Sequence, residues 1–273
     1  MSGAPQRVPP VPAVLRLVQL AVLGKWRATG DDLYREVARL TEAAPGREII
    51  VSGCGAGTTT EWLARRTGAS VTGVDPSAEA IEAAETQARS AGTEQKLHYQ
   101  HAKLDDLPHE TSVFDVAIGE PALAAAGDPA ASVGELVRVT RPMGIVLLLQ
   151  PTWSSEISGA MREMLVQRYA LRPHLLVEWK QMLRAAGVVE LEVQDWTSGA
   201  PGSRSSEHHA LSTELSWTDK ARIVSQAWRR GWRAARGALE EDATLLRELS
   251  RERAIGFQLI KGIKWRHKIA PHE

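Results

Sequence analysis

Three glycines at alternate positions and one aspartate about twenty residues later are suited to binding a nucleotide. The glycines are Gly53, Gly55 and Gly57, in a segment that begins at Glu48 and reads EIIVSGCGAGTTTEW. Glycine lets the backbone approach a ligand closely. Asp75 ends the next apolar run, where a carboxylate can accept hydrogen bonds from both hydroxyls of a ribose. The spacing therefore predicts a nucleotide-type site.

The elements predicted around these residues are a strand, a loop, a helix and a second strand. The apolar run 49–51 has the length of a buried strand, and a helix stopped by Gly68 follows the glycines. The run 70–74 is a second strand that leads into Asp75. The loop has the pattern G-x-G-x-G, because Thr58 stands where a dinucleotide fingerprint has its third glycine. The N-terminus of the helix offers unpaired N–H groups to the ligand.

The amino-acid composition of the chain excludes several classes of function. The chain has 273 residues, 43% of them apolar, so it can bury a full core. Lysine plus arginine and aspartate plus glutamate number 33 each, which argues against a protein built to hold a polyanion. The single cysteine, Cys54, excludes a disulfide framework and a thiolate metal cluster, and the histidines are not at ligand spacing, so no metal site is predicted. A reducing cytoplasm is the expected compartment. The apolar run 13–23 is too short to span a bilayer, and peripheral membrane contact is not favoured.

Strands and helices alternate along the rest of the chain. Further strands are predicted over 97–101, 114–118, 145–149, 188–196 and 255–263. Helices are predicted over 13–23, 31–44, 78–91, 129–140 and 173–186. The alternation predicts an α/β fold with a doubly wound sheet. In such a sheet, ligands bind outside the carboxyl ends of the parallel strands.

Four further motifs accompany the glycine loop. They are the D-L-P turn at 106–108, the F-D-V segment at 114–116, the R-P-x-G turn at 141–144 and the W-K-x-M-L-x-x-A-G helix at 179–187. With them, most of the chain resembles the class I methyltransferases that use S-adenosylmethionine, in particular the branch that methylates small molecules such as quinones, sterols and polyketides. The resemblance implies a seven-stranded, Rossmann-like sheet whose last strand is antiparallel and lies between the fifth and the sixth.

The same resemblance implies a domain organisation. Residues 1–44 are expected to form an N-terminal helical extension, and 45–273 the methyltransferase domain. Within that domain, 197–253 is a helical insertion before the last strand. It would leave from and return to the ligand-binding edge of the sheet, so it is expected to form a lid or one wall of the substrate pocket.

The resemblance also implies S-adenosylmethionine as the cofactor. The glycine loop would hold its methionine part, Asp75 its ribose and the segment 102–104 its adenine, with Glu120 near the transferred methyl group. The cofactor-binding candidates are Gly53, Cys54, Gly55, Gly57, Asp75, Pro76, Lys103, Leu104 and Glu120.

The candidates for a catalytic base are Glu120, after the fourth strand, and His208 and His209 in the insertion. For Glu120 the alternative is a capping role for the next helix, and for the histidines a solvent-exposed loop. Trp153 and Trp196, at strand ends, are expected to line a flat, apolar pocket for the methyl acceptor.

Two positions depart from the family pattern and keep an alternative open. Val51 stands where the family usually has an acid that helps to anchor the amino-acid end of the cofactor, and Lys103 where it usually has an aspartate that contacts the adenine. The leading prediction is methyl transfer from S-adenosylmethionine to a small, largely apolar metabolite. The alternative is a methyltransferase-like protein with weakened or lost cofactor use, adapted to another reaction such as cyclisation, or to binding or assembly.

A basic helix predicted within the insertion suggests a third interpretation, an RNA methyltransferase. Its arginines, interleaved with Trp228 and Trp232, could contact RNA. An amphipathic helix that packs its tryptophans inward is favoured, because the total charge is balanced. A small-molecule acceptor is therefore expected as the partner, and nucleic acid is not. The oligomeric state stays open, with a homodimer as one alternative.

Overall fold

The computed structural model describes residues 31–153, 158–160, 162–163, 173–196 and 255–265. Its strands are β1 Glu48–Ser52, β2 Ser70–Asp75, β3 Leu97–His101, β4 Phe114–Gly119, β5 Thr140–Trp153, β6 Val188–Asp195 and β7 Ile255–Lys264. Its α-helices are α1 Asp31–Thr41, α2 Thr58–Thr67, α3 Ala78–Ala91, α4 Pro129–Val139 and α5 Leu176–Ala185, and a short 3-10 helix spans Pro121–Ala125. The predicted helix at 13–23 and the predicted insertion 197–253 lie outside the described residues.

The strands form one seven-stranded sheet in the order β3-β2-β1-β4-β5-β7-β6. Strands β1 to β5 pair in parallel, and β7 runs antiparallel to both of its neighbours, β5 and β6. This order confirms the predicted doubly wound, Rossmann-like sheet and the place of its last strand. The chain moves outward from β1 to β3 and then crosses back to β4, so the strand order reverses between β1 and β4. Their carboxyl ends flank the crevice in which such sheets bind ligands.

The central strands are apolar on both sides, which is why helices cover both faces of the sheet. In β5, Leu147 and Leu149 belong to the hydrophobic cluster that includes Leu33 of α1. The intervening Leu148 belongs to the cluster on the other face, which includes Trp179 of α5. Successive strand residues point to opposite faces, so β5 is buried on both sides, as predicted.

The bounds of α3 follow from local sequence. The helix spans Ala78–Ala91, which is the predicted range. The Ser77 side chain accepts a hydrogen bond from the backbone N–H of Ala80 and so caps the first turn. Gly92 ends the helix in the left-handed conformation, with φ 65°. Both signals lie within a few residues of the helix, so the sequence predicted it fully.

Strand β5 is longer than predicted. It spans Thr140–Trp153, whereas the apolar run predicted only 145–149. The antiparallel partner β7 pairs with it as far as Trp153, opposite Ile255. Residues 150–153 are therefore held in the sheet by a segment about a hundred residues further along the chain, whereas Thr140, at the other end of β5, pairs with Phe114 of β4.

Two helices are shorter than predicted. The helix expected over 31–44 ends at Thr41, because Glu42 adopts a left-handed backbone conformation with φ 53°. The helix expected over 173–186 begins at Leu176. The preceding His174 instead forms a parallel bridge with Thr152 of β5.

Met143, near the start of β5, also has a left-handed backbone, with φ 65°. Its side chain is 46% exposed and adds little packing. We expect Met143→Gly to raise the free energy of unfolding by about 0.5–1 kcal/mol. Removing Cβ relieves roughly 1–2 kcal/mol of left-handed strain, of which the flexibility of glycine in the unfolded chain offsets a part. Denaturant melts would measure the change. Met143→Ala keeps the Cβ and serves as the control, and a glycine variant no more stable than the alanine variant would contradict the expectation.

Candidate active site

The glycine loop lies at the carboxyl end of β1 and is tied to the end of β2. The backbone N–H groups of Gly53 and Cys54 both donate to the carbonyl oxygen of Val74, at 2.7 and 3.1 Å. The loop closes with a bond from Gly57 N to Cys54 O at 3.0 Å, and α2 begins at the next residue. These backbone bonds hold the loop in one shape beside the tip of β2.

The loop glycines meet very different surroundings. A Cβ on Gly57 would lie 2.5 Å from the Tyr99 hydroxyl, which hydrogen-bonds to Thr60 Oγ1 at 2.7 Å. A Cβ on Gly53 would lie 2.7 Å from the Cβ of Ala122. By contrast, a Cβ on Gly55 would meet no atom within 4 Å. The loop is therefore packed against protein on both flanks and open above its middle glycine.

Asp75, the acid predicted to bind the ribose, is hydrogen-bonded to this loop. Its Oδ2 accepts a hydrogen bond from the backbone N–H of Gly55, and its Oδ1 accepts one from that of Ser77, both at 2.9 Å. The residue is 7% exposed. Each carboxylate oxygen has two acceptor positions, so these bonds orient the group and leave it able to accept ribose hydroxyls. The structure thus brings the loop and the acid together as one hydrogen-bonded unit.

Glu120 lies across the crevice, directly after β4. Its backbone N–H donates to the carbonyl oxygen of Ser52 at 2.9 Å, and its carboxylate accepts a hydrogen bond from the Thr59 hydroxyl. The buried side chain of Gln150 donates its amide N–H groups to the carbonyl oxygens of Gly119 and Glu120, at 3.0 and 2.8 Å. Glu120 is therefore anchored by β1, α2 and β5 together.

Sequence reasoning assigned no role in this site to Thr59 or to Gln150, although it expected Gln150 at the ligand-binding edge of the sheet. Thr59 lies in the first turn of the helix after the glycines, and Gln150 is the polar residue that follows the apolar run of β5. A polar side chain directly after a buried apolar strand, at its carboxyl end, is a signal that could have identified Gln150. Nothing local to Thr59 indicates its partner, which lies 61 residues away.

Cys54 is buried inside the loop, with 3% exposure. Burial raises the pKa of its thiol well above the usual range, and the negative charges of Glu120 and Asp75 raise the pKa further. The thiol is therefore neutral at physiological pH and packs as a small apolar side chain. The same electrostatic coupling indicates that both carboxylates lie close to the loop.

The segment predicted beside the adenine follows β3 at the same edge. Ala102 N donates to the backbone oxygen of Asp75 at 3.2 Å. Lys103 is exposed, whereas Leu104 is 4% exposed and packs in the core. Pro76 is exposed, and its carbonyl oxygen lies 3.0 Å from His101 Nε2. These candidates border Asp75, while their contact with an adenine stays a prediction.

An ion pair on α4 holds the loop that continues from residues 102–104. Glu135 accepts a hydrogen bond from Leu107 N at 2.9 Å, and Arg138 donates to Leu107 O at 3.1 Å. Hydrogen bonds from Arg138 lower the pKa of Glu135. The loop after β3 is therefore held against the domain by charged groups on its neighbouring helix.

Both candidate acceptor-pocket tryptophans lie at the expected sheet edge, and both are buried. Trp153 ends β5, is 9% exposed, and donates its backbone N–H to His174 O at 3.1 Å. Trp196 follows β6, is 4% exposed, and belongs to the core cluster that includes Leu33 and Phe257. Trp196 therefore contributes to the core, and the role of both rings in an acceptor pocket stays a prediction. His208 and His209 lie outside the described residues.

Metal and membrane signals are absent from the part of the chain that the structure describes. Among those residues, no group of three or more His, Cys, Asp or Glu side chains is arranged to hold a metal ion. None of the helices described there has the length and apolar character needed to cross a bilayer.

Comparison with known proteins agrees with this site. A family model described as a methyltransferase domain matches residues 50–148, which include the glycine loop, Asp75 and Glu120. The chain is 30% identical over 115 residues to the methyltransferase GfsG of Streptomyces halstedii, an alignment that covers 42% of this chain and 41% of that protein. It is 35% identical over 104 residues to the ubiquinone biosynthesis O-methyltransferase of Psychrobacter cryohalolentis, covering 38% and 40%. The chain thus spans about two fifths of the length of these relatives.

The fold is also shared with a solved structure. The [4+2]-cyclase SpnF superimposes with a TM-score of 0.68 at 21% identity, over 94% of this chain and 98% of that one. At this identity the match is evidence about the fold. The strand order is that of a Rossmann-like methyltransferase. The glycine loop bonded to Asp75 lies within the residues that the family model matches. Residues 50–148 therefore match a methyltransferase domain, and their strands lie in a sheet with the Rossmann-like methyltransferase strand order.

Proposed function

We propose that this protein transfers a methyl group from S-adenosylmethionine to a small, largely apolar metabolite. The observation that carries the proposal is the hydrogen-bonded unit formed by the glycine loop and Asp75 at the carboxyl end of β1 and β2. That unit combines an open backbone surface at Gly55 with an oriented carboxylate, which are the two features needed to hold a nucleoside with a flexible tail.

The residues present fit such a cofactor. Asp75 would accept the ribose hydroxyls, the segment 102–104 would border the adenine, and the glycine loop would hold the amino-acid chain of the cofactor. When bound, S-adenosylmethionine supplies an electrophilic methyl group on a sulfonium. The loop and Glu120 would hold the donor end of the cofactor at the crevice, so this chain would contribute mainly by positioning donor and acceptor in line.

The acceptor class rests on the relatives. A ubiquinone biosynthesis enzyme acts in the formation of a quinone, and a flat, apolar acceptor suits the proposed lining residues Trp153 and Trp196, whose positions at the ends of β5 and β6 support this role. Where the acceptor is a hydroxyl, a base takes its proton. Glu120 and the pair His208 and His209 are the proposed candidates for that role.

Binding and turnover test the proposal in that order. Calorimetry should give micromolar dissociation constants for S-adenosylmethionine and S-adenosylhomocysteine. Mass spectrometry should then detect a gain of one methyl group on a member of a panel of quinols, phenols and polyketide-like alcohols. Absence of binding at millimolar ligand would overturn the proposal.

A second candidate function is a reaction other than methyl transfer, such as a cyclisation. The observations that favour it are the fold shared with a [4+2]-cyclase and two departures from the family pattern, namely the fully buried Val51 and the exposed Lys103. It would be preferred if the protein bound S-adenosylmethionine but transferred no methyl group to any acceptor, while converting an unsaturated substrate without consuming the cofactor.

A further inference from the structure

We infer that Glu120 binds the ammonium group at the amino-acid end of the cofactor, and that Thr59 positions its carboxylate for this purpose. The inference rests on the proposed function and deepens it. It assigns Glu120 to recognition of the cofactor, rather than to the removal of a proton from the acceptor.

The first step concerns the carboxyl end of β1, which carries no charged side chain. Val51 is fully buried and belongs to the same hydrophobic cluster as Ile49. Ser52, the last residue of β1, is fully buried too, and its carbonyl oxygen accepts the N–H of Glu120. A ligand ammonium at the glycine loop must therefore find its carboxylate on a neighbouring element.

The second step concerns position. β4 is the parallel neighbour of β1, with Ser52 opposite Gly119, so Glu120 follows directly at the height of the loop. Its carboxylate accepts from Thr59, in the first turn of α2. The residue is partly exposed, and its charge acts on the buried thiol of Cys54. The carboxylate thus lies beside the same loop as Asp75, on the side opposite the ribose acid.

The third step concerns charge complementarity. The amino-acid end of the cofactor carries an ammonium and a carboxylate. The first N–H groups of a helix have no partner within the helix and favour an anion, so the start of α2 suits the ligand carboxylate. Glu120, bonded to that same turn through Thr59, suits the ammonium. A carboxylate accepts at about four positions, so the Thr59 bond is compatible with a ligand donor.

The fourth step concerns rigidity. Gln150 holds the carbonyl oxygens of Gly119 and Glu120, and Thr59 is 4% exposed. Glu120 is thereby fixed through its backbone and its side chain at once. Such preorganisation suits a binding group, because little conformational entropy remains to be lost when the ligand arrives.

Three ligands separate the possible roles of Glu120. S-adenosylmethionine has the sulfonium and the amino-acid end, S-adenosylhomocysteine has only the amino-acid end, and 5′-methylthioadenosine has neither. Glu120→Gln keeps the size of the side chain and an oxygen for Thr59 but removes the charge. We expect it to weaken binding of the first two ligands equally, by about tenfold to a hundredfold, and to change binding of 5′-methylthioadenosine by less than twofold. Thr59→Val should weaken the first two by roughly three- to tenfold.

Glu79→Gln is the matched control, since it removes one negative charge from an exposed position in the first turn of α3, and it should alter none of the affinities. Weakening of S-adenosylmethionine alone would assign Glu120 to the sulfonium and overturn the inference. Equal weakening of all three ligands, or of none, would also overturn it. A wild-type protein that binds none of the three would overturn the proposed function itself, so the two failures are distinguishable.

Discussion

Asp75→Asn is expected to weaken the binding of S-adenosylhomocysteine by about a hundredfold or more. Two hydrogen bonds from ribose hydroxyls to a charged acceptor contribute about 1.5–3 kcal/mol each, and about 2.8 kcal/mol corresponds to a hundredfold in affinity. The loss should extend to 5′-methylthioadenosine, since that ligand keeps the ribose. Calorimetry with both ligands measures it.

The substitution also disturbs the loop, which adds to the effect. Both carboxylate oxygens of Asp75 accept backbone N–H groups, one from Gly55 and one from Ser77. An asparagine amide has one oxygen and one NH₂ group, so either orientation sets a donor against a donor. We expect a loss of roughly 1–3 kcal/mol in the free energy of unfolding, measured by denaturant melts.

The control for Asp75→Asn is again Glu79→Gln, which removes the same charge from the exposed start of α3. An affinity for both ligands within fivefold of wild type would contradict the assignment of Asp75 to the ribose. Glu120→Gln should leave the binding of 5′-methylthioadenosine unchanged, whereas Asp75→Asn should weaken it. The affinities for S-adenosylhomocysteine and 5′-methylthioadenosine therefore distinguish the roles of the two acids.

Gly57→Ala is expected to cost about 3 kcal/mol in the free energy of unfolding. The backbone at Gly57 is left-handed, with φ 81°, which a side chain adopts only at a cost of roughly 1–2 kcal/mol. The new Cβ would also lie 2.5 Å from the Tyr99 hydroxyl and displace it from its hydrogen bond with Thr60. Thermal melts should show a midpoint lower by roughly 6–12 °C.

Gly55→Ala, two residues earlier, is the matched comparison. Its backbone is also left-handed, with φ 54°, but a Cβ there meets no protein atom within 4 Å. We expect a loss of only about 1 kcal/mol in stability, together with roughly tenfold weaker binding of S-adenosylhomocysteine, because the methyl group would occupy space that the ligand uses. Equal melting points for the two variants, or unchanged affinity in Gly55→Ala, would contradict this division between a packing glycine and a ligand-facing one.

Local sequence patterns were sufficient to predict much of the fold, and the glycine loop and Asp75 of the site. The range of α3 and that of β3, Leu97–His101, match the prediction, because the signals that begin and end these elements lie within a few residues of them. The glycine loop and Asp75 were found in the same way. The glycines and the aspartate are recognised by residue type at short spacing. They follow β1 and β2, which are neighbours both in the sequence and in the sheet.

Tertiary structure decided what depends on residues far apart in the chain. The extension of β5 to Trp153 follows from its pairing with β7, and the burial of Trp196 follows from the packing of the sheet against α1. The bonds that hold Glu120 come from Thr59 and Gln150, which lie 61 and 30 residues away. No periodicity or short motif encodes such partners, because they meet only once the strand order has placed β4 between β1 and β5. The sequence thus determined the glycine loop and its acid, and the assembled sheet decided the contacts that hold Glu120.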